Sequence, residues 1–319
     1  MKLVLAALAV LLAGPLYPVF AQSYPSKPIR VIVPLAPGGA VDLIARGMSG
    51  TLASRLGQSI VVDNRPGAGE SIGAELTARA APDGYTVLMT SAAIVVNPLL
   101  LSARYDPLKD FSAVTQVTRQ PYVLIVHPSV AATNARELIA WAKANPQRLN
   151  YASAGTGSLM HLTGELFKSA TGVSMAHVAY KGMAQAYPDI IGGQVQVGFP
   201  AIITALPHLK SGKIRALGVT SRTRVASLPE IPTIAESGVP GFEVEQWYGV
   251  FVPARTPGAV VARLHKEMSA VIQDADNVAR MAATGSEAVG GSSAALTALV
   301  KSDTERWGRI IRQAGIKAE

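Results

Sequence analysis

The feature that most constrains this chain is a unit made of an apolar run, a glycine turn and a helical pattern. It first occurs in VIVPLAPGGAVDLIARGM, from Val31 to Met48. Residues 29–35 read as a buried strand. Residues 42–56 read as a helix with Ile44, Met48, Leu52 and Leu56 on one face and Gly57 as its stop. Residues 59–63 are again strand-like, NRPGAG is a loop, 71–80 is a second helix, and PDG turns the chain into a third strand at 85–90. Strands alternating with helices predict a parallel sheet covered on both faces.

The pattern resumes downstream. Residues 122–127, 149–152, 174–179, 194–199, 214–220 and 246–252 are strand candidates. Asn134 and Glu137 form a capping box before LIAWAKA. SLPEIPTIAESGVPGFE, rich in Pro and Gly, reads as a long surface connection. The last helix carries Leu296, Val300, Trp307, Ile311 and Ala314 on one face, with Gly315 after it. The strand, glycine loop and helix unit at 31–56 recurs at 149–170. Two α/β lobes facing across a cleft are therefore expected, with a ligand at the carboxyl ends of the strands.

Composition narrows the function classes. MKLVLAALAVLLAGPLYPVFA carries one basic residue, Lys2, an apolar core too short to span a bilayer, and small residues at Val19 and Ala21. Residues 1–21 are expected to be a signal peptide cleaved after Ala21, leaving 319 − 21 = 298 residues, enough for two domains. The formal charge of +8 comes from scattered basic residues, which gives nucleic-acid binding little support. Zero cysteines fit an exported protein and exclude thiol catalysis and cysteine metal sites.

The glycine loops fail the nucleotide tests. APGGAVD, RPGAGES and SAGTGSLM lack the Lys-Ser or Lys-Thr of a P-loop, and none meets the dinucleotide fingerprint. His127, His161, His177, His208 and His265 never fall into a zinc-ligand spacing, so neither metal nor cofactor is expected. Ser158 and His161 share a helix face, which leaves a secreted Ser/His hydrolase open as an alternative, although no carboxylate is evidently placed to orient the histidine. Anion capture fits better. A helix start offers unpaired N–H groups and partial positive charge, Gly38 and Gly39 admit a ligand to the main chain, and Ser153, Thr156 and Ser158 add hydroxyls. Two such loops, one per lobe, could hold a small diacid at both ends.

At this point the chain resembles the Bug family, the periplasmic substrate-binding proteins of tripartite tricarboxylate transporters. The resemblance rests on YPSKPIRVIVPLAPGGAVDLIAR, VVDNRPGAGESIGAE, APDGYTVLM, YASAGTGSLMHLTGELFK, VAYKGMAQAYPDIIGGQVQVGF, LPHLKSGKIRALGVTS and LPEIPTIAESGVPGFEVEQWYGVFVPARTP, in that order. It covers nearly everything after residue 21. It implies an α/β, type II periplasmic-binding-protein fold with crossovers near 117–124 and 244–250. Domain 1 would comprise 22–121 plus 247–319, and domain 2 would comprise 122–246.

It also implies a periplasmic, monomeric protein without cofactor or catalytic step. Such a protein would bind a small carboxylate and pass it to the membrane subunits of a transporter, or alternatively present it to a sensor. The implied ligand residues are Ala36, Pro37, Gly38, Gly39, Ala40, Val41 and Asp42, then Ser91, Ala92 and Asn97, then Ser153, Gly155, Thr156, Gly157, Ser158 and His161. Tyr180, Lys181, Phe199, Pro200 and Trp247 with Tyr248 complete the set. Lys181 as an ordinary solvated lysine and Trp247 as a hinge-core residue both stay open.

The departures bear on specificity. Val41 stands where the family's first loop commonly has Thr, removing a hydroxyl donor. SAAIVVNP lacks a His often found in the second loop. Pro200 occupies the place of an Asp that amino-acid-binding members carry, and a buried ammonium without a partner is costly. A non-amino di-, tri- or aromatic carboxylic acid is therefore expected.

Overall fold

The apolar run at the start, interrupted only by Arg30, forms β1 (Ile29–Val33), with four of its five residues buried. In this computed structural model, which describes residues 24–317, β1 pairs in parallel with β2 (Ile60–Asn64) and β3 (Thr86–Ser91). The expected signal segment 1–21 lies outside the described residues. Between these strands run α1 (Ala40–Leu56), a short 3-10 turn at Ala68–Glu70 and α2 (Ser71–Ala78). Helix α1 begins two residues earlier than the sequence pattern predicts and ends as predicted, at Gly57 in the left-handed region (φ 68°). α3 (Ala93–Leu100) follows β3, and the long strand β4 (Phe111–Pro121) completes this part of the sheet.

The chain then passes directly into a second sheet through β5 (Val123–Val126). α4 (Ala135–Ala144) starts with Asn134 accepting the Glu137 N–H at 3.0 Å, while the Glu137 carboxylate takes the N–H of Thr133 rather than of Asn134. The predicted capping box is thus present with its return bond shifted by one residue. β6 (Asn150–Ser153), α5 (Leu159–Thr171), β7 (Ala176–Ala179), α6 (Met183–Ile191), β8 (Val197–Gly198), α7 (Ile202–Lys210) and β9 (Arg215–Val219) complete this unit. Its strand order is β7-β6-β8-β5-β9. The chain returns through β10 (Glu245–Pro253), which pairs antiparallel with both β3 and β4. α8 (Gly258–Ile272), α9 (Ala275–Ala282), β11 (Glu287–Ala288) and α10 (Ser293–Ala314) then pack on the first sheet, whose order is β11-β4-β10-β3-β1-β2.

The two passages between sheets are tied together at one residue. Thr220 donates its N–H to the Tyr122 carbonyl and accepts the Tyr122 N–H on its hydroxyl, at 2.9 and 2.8 Å. That hydroxyl donates to the Val244 carbonyl at 2.6 Å, and the Val244 N–H returns to Thr220 at 2.9 Å.

Three expectations need correction. The strand at 194–199 shrinks to two residues, because the chain turns at Pro200 into α7. The segment 227–243 is not simply surface: Ile234, Val239 and Phe242 turn into the core, and Thr233 bridges Val219. The sheets are mixed rather than parallel, because β10 pairs antiparallel with β3 and β4, β11 with β4, and β5 with β8 and β9; helices α3, α6 and α7, which the sequence pattern does not announce, each carry an internal proline (Pro98, Pro188 and Pro207). Burial of Met183, Ala186 and Ile190, spaced three and four apart, holds α6 together despite Pro188.

Candidate functional site

The carboxyl ends of β1 and β6 face each other, and both feed glycine loops into helix starts. Across the gap the loops touch. The Ala36 N–H donates to the Lys181 carbonyl at 3.2 Å. An atom added as Cβ on Gly155 would lie 3.4 Å from the Gly69 Cα. Between the units lies an enclosed cavity. Leu35, Gly39, Ala40, Glu70, Gln246 and Tyr248 line it from the first unit, and Ala154, Ser158, Leu159, Met160, Met183 and Thr204 from the second. Tyr122, at the passage between sheets, closes it. Room inside for a water-sized sphere is only about 10 Å³, so even a small acid needs the units to part before it enters. A larger, open crevice of about 480 Å³ lies outside the Gly69–Gly155 contact, where Tyr180 and Lys181 sit.

The cavity is suited to an anion without a cation. Two helix starts converge on it, α1 through Gly39 and Ala40 and α5 through Ser158 and Leu159. The first N–H groups of a helix have no intrahelical acceptor, and Gly39 has no side chain to cap α1. Among the described residues, no Lys, Arg or His lines the cavity.

Asp42 does not line the cavity. Its carboxylate accepts the Gly38 N–H at 2.9 Å, Arg46 at 2.9 Å and Asn64 at 3.0 Å, and so holds the loop in shape. Gly38 itself has φ +80°, which a side chain rarely adopts. Val41 is fully buried in the core. Ala36 makes the contact across the gap, and Pro37 sits in the turn before Gly38.

The second loop serves the first unit's interior. Ala92 N–H donates to Gln246 at 3.2 Å, and Asn97 donates to the Gly69 carbonyl at 2.7 Å. Ser91 donates to Glu70 through its hydroxyl at 2.6 Å and its N–H at 3.3 Å, and Thr90 adds a third bond at 2.9 Å. Burial nevertheless raises the Glu70 carboxyl to about 7, against these hydrogen bonds. Glu70 also sits at φ +88° although it is not glycine.

In the third loop, Ser153 is hydrogen-bonded to His177 at 2.6 Å and accepts the Gly155 N–H. Thr156 presses its carbonyl toward Gly69, and Gly157 (φ +85°) lies against Asn97. Ser158 caps α5 by accepting the His161 N–H at 3.2 Å. The His161 ring accepts the Gly157 N–H at 3.4 Å and stacks on His177 at 4.3 Å between centroids. With Nδ1 an acceptor, the ring proton resides on Nε2, which is buried without a partner. Burial, and after it the neighbouring His177, pushes this imidazole down to about 4, so it is neutral near pH 7. The Ser158 hydroxyl thus engages the main chain while the imidazole faces Gly157 and His177. This is not a nucleophile and base arrangement.

Three implied residues stand apart from the cavity. Phe199 packs on Phe167 within the second unit, and the Pro200 carbonyl accepts the Val123 N–H. Trp247 points to the opposite face of β10 from Gln246 and Tyr248, because side chains alternate along a strand. Its indole N–H donates to Asp303 at 2.6 Å. Trp247→Phe is therefore expected to leave a buried carboxyl unpartnered and to lower stability by about 1–3 kcal/mol in urea denaturation, with ligand affinity little changed.

Tyr180 donates to Asp189 at 2.6 Å; burial, and then Asp189, pushes its phenol up to about 12. Glu70, Tyr122, Thr204 and Gln246 were not legible as site residues. Glu70 stands in the NRPGAGES loop, whose motif assigns it no role, and the other three are placed only by the packing of distant segments. The Tyr122 hydroxyl is fully buried and has no hydrogen-bond partner. Tyr122→Phe is expected to leave the melting temperature equal or higher. Acid binding should weaken by about tenfold or more, as for a lost bond to a charged group.

Two α/β units joined by two passages, with paired glycine loops on one enclosed cavity, define a solute-binding protein of the type II periplasmic-binding-protein fold. The profile of the tripartite tricarboxylate transporter family receptor, TctC, matches residues 44–316, and the chain belongs to that family. Protein BugT of Bordetella pertussis is 36% identical over 308 residues, spanning 96% of this chain and 94% of BugT. Among solved structures, the periplasmic binding protein BugD is similar with a TM-score of 0.89 and 35% identity, covering 93% of this chain and 100% of that one. An R. palustris protein solved with adipate gives 0.89 at 34% identity, covering 92% and 99%. MatC from Rhodopseudomonas palustris, with bound malate, gives 0.85 at 30%, covering 90% and 100%.

Proposed function

We propose that this protein is a periplasmic carrier that captures a small non-amino carboxylic acid in the enclosed cavity and delivers it to the membrane subunits of a tripartite tricarboxylate-type transporter. One observation carries the reading: two helix starts and several hydroxyls converge on a cavity that, among the described residues, no basic side chain lines. Neutral donors and helix dipoles suffice for a carboxylate, as they do for other anions. The adipate and malate of the two similar structures support this ligand class.

In this reading 22–121 plus 247–319 and 122–246 act as two domains that close on the acid as a monomer, with no chemical step. Gly39, Ala40 and Ser158 meet the ligand directly, with Tyr122 and Tyr248. Gly38, Asp42, Ser91, Ala92, Asn97, Ser153, Gly155, Thr156, Gly157 and His161 hold the loops. Tyr180 and Lys181 guard the outer crevice.

The test is a thermal-shift panel of mono-, di- and tricarboxylates, aromatic acids and amino acids on the purified protein. Ligand at 100 times its dissociation constant stabilises by about 2.7 kcal/mol, a rise of several degrees. A shift confined to non-amino acids is expected. A shift confined to amino acids, or to none of the panel after any carried-over ligand has been removed by unfolding and refolding, would overturn the reading.

A further inference from the structure

We infer that Glu70 makes acid capture proton-linked: when a carboxylate enters the cavity, Glu70 takes up a proton and faces the ligand as a neutral carboxylic acid. The inference rests on the function proposed above and adds to it a device particular to this chain.

The geometry is direct. Glu70 is 4% exposed, lines the same enclosed cavity as the starts of α1 and α5, and has no basic partner there. Its carboxylate already accepts three hydrogen bonds from Thr90 and Ser91, all from its own unit. Few of its roughly four lone-pair sites remain for an ammonium, which has three protons to satisfy. An incoming carboxylate instead meets a like charge in a dry cavity, and two such groups hold one proton between them. The balance is simple: Glu70 carboxylate, one solvent proton and the ligand carboxylate give a Glu70 carboxylic acid beside the bound carboxylate.

The surroundings leave Glu70 as the group that titrates. From β10, the passage between the sheets and its own unit it is faced by the phenols of Tyr248, Tyr122 and Tyr105, each raised mainly by burial and neutral below pH 9. From α5, His161 is already neutral above pH 5. His177 stands behind His161, bonded to Ser153, and Asp42 is held by Arg46. Glu75 and Lys181 belong to the outer crevice. Burial, working against the Thr90 and Ser91 hydrogen bonds, brings Glu70 to about 7 in the free protein, so a ligand charge needs to move it only a little further to take a proton between pH 7 and 8.5.

Isothermal titration with adipate and with malate, at pH 6.5, 7.5 and 8.5, tests this. Each pH is run in HEPES and in Tris, whose ionisation enthalpies differ. Both probes are fully ionised across most of this range, so their own titration contributes little. The wild type is expected to take up a substantial fraction of a proton at pH 7.5 and to bind several-fold more weakly at pH 8.5 than at pH 7.5. Glu70→Gln, which mimics the neutral acid, is expected to bind with a dissociation constant that is flat within about twofold. Binding by the wild type without proton uptake, or with proton release, overturns this inference and leaves the carrier reading intact. No binding of either acid by wild type or variant, together with a blank acid panel, overturns both. The buffer comparison needs only the wild type, so a poorly folding variant does not remove the test.

Discussion

Replacing Gly69 by alanine is expected to abolish ligand capture while both sheets stay folded. Gly69 belongs to the first unit and lies against the Thr156 carbonyl of the second. A Cβ there would fall well under 3.0 Å from that oxygen, which belongs to the backbone and cannot swing away. The φ of +58° adds a strain of about 1 kcal/mol for any side chain. The strain alone is tolerable; the clash across the gap is not, because it can be relieved only by holding the units apart. A control separates the two effects. Gly212 has φ +69° and open space around it, so Gly212→Ala carries the same strain without the clash. Affinity for the acid found in the thermal panel should fall more than about a hundredfold in Gly69→Ala, which corresponds to about 2.7 kcal/mol, and hardly at all in Gly212→Ala. Small-angle scattering of the Gly69→Ala protein with ligand should show the more open form. Equal affinity in the two variants would mean that loop contact plays no part in capture.

The second large effect is on stability against pH in the ligand-free protein. The Glu70 carboxyl is raised from 4.5 to about 7 by burial. In that window the folded chain binds a proton that the unfolded chain does not. The contribution of this group is therefore full below pH 4.5 and is lost as pH rises to 7. The shift corresponds to a loss on the order of 3 kcal/mol across the window. Glu70→Gln should flatten that part of the profile. Its absolute stability is a poorer guide, since an amide presents a donor where Ser91 and Thr90 also donate. Urea denaturation at pH 5 and pH 8 measures the difference directly. Parallel profiles for wild type and variant would show that Glu70 stays ionised in the fold.

Much of the first sheet was legible because each of its early elements announces itself within a dozen residues. β1 is an apolar run broken only by Arg30, α1 repeats its buried Ile44, Met48, Leu52 and Leu56 at helical spacing, and Gly57 stops it. Helices α6 and α7 were not legible, because proline interrupts the pattern and only burial against the second sheet overrides it. β4 was hidden for another reason. Its eleven residues alternate irregularly in burial, and its register with β10 shifts twice, so no simple period survives.

The site divided the same way. The glycine loops, the Ser158 cap and the resemblance to a carboxylate-binding family could be read from local sequence, because backbone freedom and capping are properties of a few adjacent residues. Which side chains face the cavity could not. Trp247 and Tyr248 are neighbours, yet the pleat sends one to Asp303 and the other to the cavity. Glu70 reads as an ordinary loop acid until the fold buries it among Thr90, Ser91 and Tyr248 and removes every cation from its reach. Sequence alone determined the early strand, glycine-loop and helix units, since these follow from short-range periodicity and backbone chemistry, and its resemblance to a known family supplied the two-domain fold. The tertiary structure decided charge state and facing, since desolvation and proximity arise only when residues far apart in the chain are packed together.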